Sequence, residues 1–256
     1  MGRSTPSKSS SGRGRRNRGA LVPRIVAAAE SLAAELAISE PRLERVALAI
    51  AALDPSPFVG DESIAVLDDW AARVMSAGQG APSIEHLHRV LASELALTGD
   101  REEYDSPENS FLPRVLARRR GLPILLSLVW IEVGRRVGLT LFGVGLPGHF
   151  IVGHSPRAGD LVLFDAFDGG ARLGPSQLVA LVARAGEVFH MGLLVPATPR
   201  AIAVRMLRNL ASAYGRRGRV SEAMSAAQLW LAASPDDAEA IRLFEELDSQ
   251  ARTVWS

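Results

Sequence analysis

One stretch of the sequence, GVGLPGHFIVGH at residues 143–154, places a histidine where it could act as a base. His149 follows Leu-Pro-Gly, which favours a turn, and runs directly into Phe-Ile-Val, which favours a strand. An imidazole is a useful general base only when an acid orients one ring nitrogen and a nucleophile lies beside the other. The rest of the chain must therefore supply both groups, or the histidine is structural.

An acidic partner for His149 is predicted by the way in which two strands pair. The β-rich runs 149–153 and 161–167 are separated by turn-forming residues centred on Arg157, which predicts a hairpin. In that register residue 149 lies opposite residue 165, and directly opposed residues share a face with their Cβ atoms about 5 Å apart. Asp165 is therefore predicted to lie beside His149. A shift of one residue would send the two side chains to opposite faces.

The nucleophile is the part that the sequence does not supply. The chain has no cysteine, which excludes disulfides, thiolate metal sites and a thiol nucleophile. Such a nucleophile usually lies at the N-terminus of a buried helix, where the helix dipole lowers its pKa. The helix that fits this position begins after Gly121, and its first turn, residues 123–126, reads Pro-Ile-Leu-Leu. The nearest hydroxyl belongs to Ser127, for which packing inside the helix and a role as nucleophile both remain open.

The elements that would position these residues are helical up to residue 137 and extended after it. Between residues 24 and 97 apolar residues recur at intervals of three and four, which predicts four amphipathic helices. The segment PILLSLVWIEVGRRVG, which begins at Pro123, is apolar on nearly all sides and is predicted to be a central, buried helix. After Gly138 short β-rich runs predict a small antiparallel sheet.

The first 20 residues differ in composition from the rest of the chain. They are rich in Ser, Gly and Arg, with six basic groups and no acid, and are predicted to be a disordered tail. The remaining residues, 21–256, carry 23 basic and 28 acidic groups, a net charge of −5. This balance argues against a body that binds nucleic acid and leaves the tail as the candidate contact. No apolar run approaches the ~20 residues of a membrane span, and without a targeting segment a cytoplasmic location is expected.

Three ordered motifs give the chain a resemblance to a known family. They are NSFLPRVLARRRGLPILLSLVWIEVGRRVGL from Asn109, GVGLPGHFIV from Gly143 and LFDAFDGG from Leu163. These motifs resemble the bacterial transglutaminase-like proteins of the SirB type, members of the papain-like, transglutaminase-core superfamily that usually carry tetratricopeptide helices at the C-terminus. The match spans about residues 40–240. The resemblance implies an α+β domain in which a helix-borne Cys, a strand-borne His and a neighbouring Asp form a triad.

This sequence follows the family at two triad positions and departs from it at the third. His149 and Asp165 match the family's His and Asp. The resemblance places the nucleophile within residues 123–125. At the position of Leu125, members of this branch commonly have Ser, and true transglutaminases have Cys. The chain thus keeps the imidazole and the acid without an attacking atom. Arginines 118–120 precede the helix and form either a solvated basic turn or an anion contact.

The segment LRNLASAYGRRGRVSEAMSAAQLWLAASPDD, which begins at Leu207, fits one tetratricopeptide repeat of ~34 residues. Small residues at Ala211 and Ala223 would let the paired helices approach closely, with Tyr214 and Trp230 filling the space between them. One repeat is too few for a free-standing solenoid, so the pair is expected to dock on the α+β domain. Its groove would either bind a peptide or partner helix or hold the protein together.

The sequence therefore predicts an α+β protein in three parts. Residues 1–20 form the disordered basic tail, 21–198 a transglutaminase-like α+β domain and 199–256 a tetratricopeptide-like helical region. Within the domain, residues 24–137 are expected to be helical and 139–175 to form the sheet, with the central helix packed on it.

The favoured hypothesis is a catalytically inactive transglutaminase-like protein that serves as a protein-interaction or regulatory module, with His149 and Asp165 as a residual pair. The alternative is a hydrolase or acyltransferase that uses Ser127 or water activated by His149. A third hypothesis is a nucleic-acid partner bound through the tail. Further candidates for contact with a ligand or partner are Asn109, Arg120, Leu125, Tyr214 and Trp230. No metal and no cofactor is predicted, and the expected partner is a protein or peptide.

Overall fold

The computed structural model describes residues 12–56, 60–157 and 159–253, which form a mixed helical and sheet structure. The helices before the main sheet are α1 (Gly12–Ala37), α2 (Leu43–Ala51), α3 (Gly60–Ala77), α4 (Ile84–His88, continued by a π-helical turn at Arg89–Glu94), α5 (Leu112–Arg118) and α6 (Pro123–Arg136). Those after it are α7 (Pro175–Ala183), α8 (Pro199–Arg216), α9 (Val220–Ala233) and α10 (Ala238–Thr253). The predicted α+β fold is confirmed.

The described residues form one small sheet and one strand pair. In the sheet, antiparallel strands follow in the order β3 (Leu141–Leu146), β4 (His149–His154), β5 (Val162–Asp165) and β6 (Ala171–Leu173). The pair consists of β1 (Thr98–Gly99) and β2 (Arg120–Gly121), which run in parallel. This pair ties the loop after α4 to the residues just before α6, and so fixes the point at which α6 begins.

The pairing of β4 with β5 differs from the predicted register by two residues. Val152 lies opposite Phe164, whereas a turn centred on Arg157 would have placed residue 162 there. The predicted register was wrong because the turn lies later in the chain, where the Asp160 N–H donates to the Arg157 carbonyl at 3.1 Å. Since the displacement is an even number of residues, every side chain keeps its face of the sheet.

Helix α6 lies at the centre of the molecule. Its residues from Pro123 to Gly134 are buried, with β3 and β4 packed on it and with α2, α3, α5 and α8 around it. Trp130 is fully buried and stacks on Phe164 of β5, with ring centroids 6.3 Å apart. A helix with neighbours on all sides must be apolar on all sides. The central buried helix predicted from the sequence is therefore confirmed.

The three C-terminal helices are packed into the same core. Helix α9 lies between α8 and α10 and also contacts α1, while α8 contacts α2 and α6. Ala211 and Ala223 are 2% and 1% exposed, as expected where two helix backbones approach closely. Because α8 reaches both the core helices and the strand end of the molecule, its side chains can contribute to a site there.

Helix α1 begins at Gly12, within the segment 1–20 whose composition predicts disorder. Over residues 12–20 the backbone continues the helix of residues 22–37, since arginine has a high helix propensity and elongating a helix is easier than nucleating one. Residues 1–11, and with them part of the candidate nucleic-acid contact, lie outside the described residues. Neither α1 nor any other helix that the structure describes has the length and apolar character of a membrane span.

A buried cluster of carboxylates and guanidinium groups ties the end of α6 to the start of α2. Glu132 is 2% exposed and accepts hydrogen bonds from the Leu43 N–H (2.9 Å), Arg135 (2.9 Å) and Arg136 (3.0 Å). Burial and the neighbouring carboxyl of Glu44 raise the pKa of Glu132 to about 7. Burial opposes ionisation of Glu44 too, but its hydrogen bond with Glu132 and the charge of Arg136 outweigh burial and hold its pKa below the usual range.

We expect Glu132 to make the free energy of unfolding fall as the pH rises from about 5 to 8. The folded protein keeps the Glu132 proton up to about pH 7, whereas an unperturbed Glu loses it near pH 4.5. At about 1.4 kcal/mol per pKa unit, the fall is on the order of a few kcal/mol. Urea unfolding at both pH values should show a smaller fall in the free energy of unfolding for Glu132→Gln than for the unsubstituted protein. Glu62→Gln, on the surface of α3, should show the same fall as the unsubstituted protein. An equal fall in all three proteins would contradict this assignment.

Candidate functional site

His149 and Asp165 form a hydrogen-bonded pair at the end of the sheet. Nε2 of His149 lies 2.9 Å from Oδ2 of Asp165, although the observed register sets the two residues diagonally across from each other. Oδ1 of Asp165 accepts hydrogen bonds from the N–H groups of Phe167 (3.0 Å) and Asp168 (3.4 Å). A carboxylate held in this way keeps the proton of a neutral imidazole on Nε2 and leaves Nδ1 to accept another. The described residues form no hydrogen bond to Nδ1.

A tight turn places His149 at the first position of β4. Pro147 and Gly148 connect β3 to β4, and Leu146 pairs with His149 across them. Gly148 has a φ of +67°, a conformation that costs glycine little, and the preceding proline presets its own φ, as in a type II turn. The Leu-Pro-Gly segment thus fixes the chain direction from which the imidazole enters the site.

The imidazole of His149 lies between two cavities, each of about 290 Å³. The first, which we call the α8 cavity, is bounded by the start of α6, the turn before β4 and one face of α8. The second, the α7 cavity, is bounded by Asp165, Phe167 and α7. No group of three His, Asp or Glu side chains in the described parts of the chain is arranged to hold a metal ion.

The first turn of α6 presents hydrocarbon to the α8 cavity. Pro123 and Ile124 line this cavity together with His149. Leu125, where the resemblance predicts the nucleophile position, is 1% exposed and does not line it. Ser127 is fully buried, and its hydroxyl has no hydrogen-bond partner in the described structure, so it does not reach the imidazole. The structure thus brings the predicted acid and base together, but not the predicted serine.

Asn109 and Arg120, two of the candidate binding residues, make contacts near the loop that precedes α6. Asn109 is fully buried; its Nδ2 donates to the carbonyl oxygens of Glu103 (2.7 Å) and Tyr104 (3.3 Å), and its Oδ1 accepts from Arg118 (3.0 Å). Arg120 is exposed and lies 3.4 Å from a surface carboxylate. Neither residue lines a cavity at His149. Asn109 instead holds the loop that carries Tyr104 to the site.

Tyr214 and Trp230, the candidates in the C-terminal region, are each 1% exposed. Trp230 donates from Nε1 to Oδ2 of Asp237 at 3.0 Å. The guanidinium carbon of Arg219 lies 4.7 Å from the centroid of the Tyr214 ring. Both rings pack helices together and are covered by this chain itself, so of the two roles considered for this groove the geometry favours holding the protein together.

Three polar residues of α8 that the sequence reasoning did not single out line the α8 cavity: Arg205, Arg208 and Asn209. Their spacing of three and four residues places them on one face of the helix. The periodic pattern could have located this polar stripe beside the apolar one. Nothing in the local sequence, however, distinguishes a stripe that faces a cavity from one that faces solvent.

Comparison with known proteins gives one family match and two kinds of relative. The model of the family described as the transglutaminase-like superfamily matches residues 61–208. A UPF0162 protein of Xylella fastidiosa (strain 9a5c) is 39% identical over 162 residues, which cover 61% of this chain and 57% of the relative. A UPF0162 protein of Pseudomonas aeruginosa is 28% identical over 222 residues (83% and 81%). F-box only protein 21 of Mus musculus is 28% identical over 171 residues (62% and 27%).

The matches differ in how much of this chain and of each relative they cover. The chain spans little more than half the length of the Xylella fastidiosa relative that it matches. The matched family region contains α6, the main sheet and the first part of α8, and so includes every residue that lines the α8 cavity except Asn209. No solved structure shows a significant match to the chain.

Proposed function

The chain belongs to the transglutaminase-like superfamily, and from this premise we propose that it is a catalytically inactive member that binds a protein or peptide partner at His149. The observation that carries the proposal is the wall of the α8 cavity. Pro123 and Ile124 stand there, at the N-terminus of the buried helix, while the His149–Asp165 pair is retained beside them.

Acyl transfer in this superfamily's manner needs an atom that attacks the carbonyl carbon. A base such as His149 increases the reactivity of a neighbouring thiol or hydroxyl but cannot replace it. The chain contains no cysteine, and the hydroxyl of Ser127 is buried without a hydrogen bond to the imidazole. Catalysis through a covalent acyl-enzyme therefore lacks the protein nucleophile that would attack the carbonyl carbon.

The retained pair is suited to recognition instead. The Nδ1 atom of His149, held in place by Asp165, can accept a hydrogen bond from a ligand N–H group. The adjoining cavities, of about 290 Å³ each, have the size of a side chain or two rather than of a large cofactor.

We further propose the finer organisation that the sequence predicts: residues 21–198 as a transglutaminase-like domain of the SirB type and residues 199–256 as a tetratricopeptide-like region. The contact of α8 with α9 and the burial of Ala211 and Ala223 support one such repeat. We propose that the protein acts in the cytoplasm of a bacterial cell, and the UPF0162 relatives support the bacterial setting.

Incubation of the protein with a labelled primary amine and with glutamine- or ester-bearing acyl donors is expected to give no product above background. The physical reason is the missing attacking atom, so His149→Ala should give the same background rate. Product formation that His149→Ala abolishes would overturn the proposal, whatever the rate.

Hydrolysis by water activated at His149 is the second candidate function. It is favoured by the Nδ1 atom of His149, to which no described residue forms a hydrogen bond. The same assay separates the two, because this reaction would hydrolyse the ester donor without transferring the acyl group to the amine. It would also depend on Asp165, so Asp165→Asn should slow it sharply.

A further inference from the structure

The α8 cavity carries positive charge without an acidic residue in its lining. Arg205 and Arg208 line it, together with Asn209, Tyr104 and His149, and its other lining residues are apolar or glycine. Clefts lined by one sign of charge attract ligands of the opposite sign. The charge balance of the lining therefore points to an anion.

Arg205 is the central donor of this cavity. Its two terminal nitrogens donate to the carbonyl oxygens of Leu146 (2.9 Å) and His149 (2.7 Å), and its guanidinium carbon lies 5.6 Å from the ring centroid of Phe150. No carboxylate of the described residues lies within 4.0 Å of it. Burial lowers the pKa of Arg205. The guanidinium is thus half-buried and held rigidly by neutral groups, with its charge uncompensated.

Other donors converge on the same space. Arg208 is exposed and pairs with Glu239 at 2.8 and 2.7 Å, so it is anchored at the rim of the cavity. The cavity also meets the start of α6, a helix of 14 residues in which no side chain caps the first turn. Free N–H groups at a helix start and the positive end of its dipole favour a negative group.

The rest of the lining is largely hydrocarbon. Pro123, Ile124, Leu146 and Phe150 supply it, and each is buried or nearly so. A phosphate would leave this surface without a complementary group. A ligand that carries an anionic group next to an apolar side chain would satisfy both halves at once.

We propose that the α8 cavity binds the C-terminal carboxylate of a peptide whose last side chain is apolar. This inference rests on the proposed binding function of the same site. A chain end needs only one entrance to a cavity of about 290 Å³, whereas an acidic side chain within a peptide would bring chain on both sides of it. The carboxylate would accept from Arg205 and Arg208, and the last side chain would pack on Pro123 and Ile124.

Calorimetric titration of the full chain with N-acetyl-alanyl-leucine tests this proposal. We expect the peptide with a free carboxylate to bind at least about tenfold more tightly than its C-terminal amide, because the amide loses charge-assisted hydrogen bonds. Inorganic phosphate should bind more weakly than the free acid. Equal binding of acid and amide, equal or tighter binding of phosphate, or no binding of the acid would each overturn the proposal.

A matched pair of variants tests which residues carry the charge. Arg208→Ala and Glu239→Ala break the same ion pair, but only Arg208 lines the cavity. We expect Arg208→Ala to weaken binding of the acid about tenfold and Glu239→Ala not to weaken it. Equal weakening in both variants would show that the ion pair, and not the cavity, matters. Because Arg205 also holds the turn before β4, Arg205→Lys is the variant to use there, and it should weaken binding while circular dichroism stays unchanged.

Chromatography of the same peptide after incubation separates this inference from the proposed function. Cleavage or modification of a peptide that binds through its carboxylate would overturn catalytic inactivity and leave the ligand class standing. Binding of an unmodified peptide that is indifferent to its carboxylate would overturn the ligand class and leave the binding function standing.

Discussion

Replacing Ile124 with cysteine is expected to create a thiol whose pKa lies below about 7, against about 8.5 for an ordinary cysteine. The position is on the first turn of α6 and on the wall of the cavity that His149 borders. Both the positive end of the helix dipole and a protonated imidazole stabilise a thiolate. Because the natural chain has no cysteine, the new thiol is the only one, and the absorbance of the thiolate near 240 nm reports its titration directly.

Two matched variants assign the cause of the lowered pKa. In the double variant Ile124→Cys with His149→Ala, the thiol pKa should rise by about one unit or more, because the imidazole no longer contributes. Leu125→Cys changes the neighbouring residue of the same turn, which is buried and does not line the cavity. Its thiol pKa should be 8.5 or higher, since burial in apolar surroundings raises it.

The same variant tests what the natural protein lacks. With p-nitrophenyl acetate, Ile124→Cys should release about one equivalent of nitrophenol in a burst as the thiol is acylated, whereas the natural chain should show no burst. A thiol pKa that is unchanged by His149→Ala would mean that the imidazole does not act on the first turn of α6. The interpretation of the site as a triad without its nucleophile would then be wrong.

Truncating Trp230 to alanine is expected to lower the free energy of unfolding by about 4 kcal/mol, the usual cost of removing a large buried aromatic side chain. The ring is 1% exposed, and its Nε1 atom donates to Asp237. This loss is a large part of the 5–15 kcal/mol that stabilises a typical domain. Urea unfolding measured by circular dichroism gives the value.

The outcome decides between the two roles that the sequence allowed for Trp230. Truncating a residue that only contacts a partner in a groove would lower the free energy of unfolding very little. The control is Val188→Ala, whose side chain is 83% exposed and which should change the free energy of unfolding by less than about 0.5 kcal/mol. Trp230→Phe keeps most of the ring and loses the hydrogen bond to Asp237, at a cost of about 1 kcal/mol. A loss below 1 kcal/mol in Trp230→Ala would contradict its role as a core residue.

Much of the fold could be predicted because its determinants are local. The start of α6 at Pro123 follows from a proline after a glycine at the head of an apolar run, and the start of β4 follows from the Leu-Pro-Gly turn before His149. The pairing of β4 with β5 was missed by two residues, because it depends on how the loop from 155 to 161 folds and not on the strands. The even displacement preserved the face, and with it the contact between His149 and Asp165.

The candidate site could be predicted only in part. Its acid and base lie in strands with a recognisable pattern, whereas Arg205, Arg208 and Asn209 belong to a helix that begins some fifty residues further along the chain. Their approach to His149 depends on the packing of α8 against α2 and α6. Likewise, Ser127 has the right chemistry at nearly the right position, but in the packed environment of α6 it is fully buried and its hydroxyl has no hydrogen-bond partner among the described residues.

The amino-acid sequence by itself determined which chemistry is absent: without a cysteine, and with hydrocarbon at the start of the central helix, no covalent intermediate on sulfur can form there. It also determined which residues within each strand share a face with His149 or with Asp165, because side-chain alternation along a strand is a property of the backbone. The tertiary structure alone decided what surrounds the pair. Which polar residues converge on a cavity, and which hydroxyls are turned away, depends on contacts between segments far apart in the chain, and such contacts leave no periodic trace in any one of them.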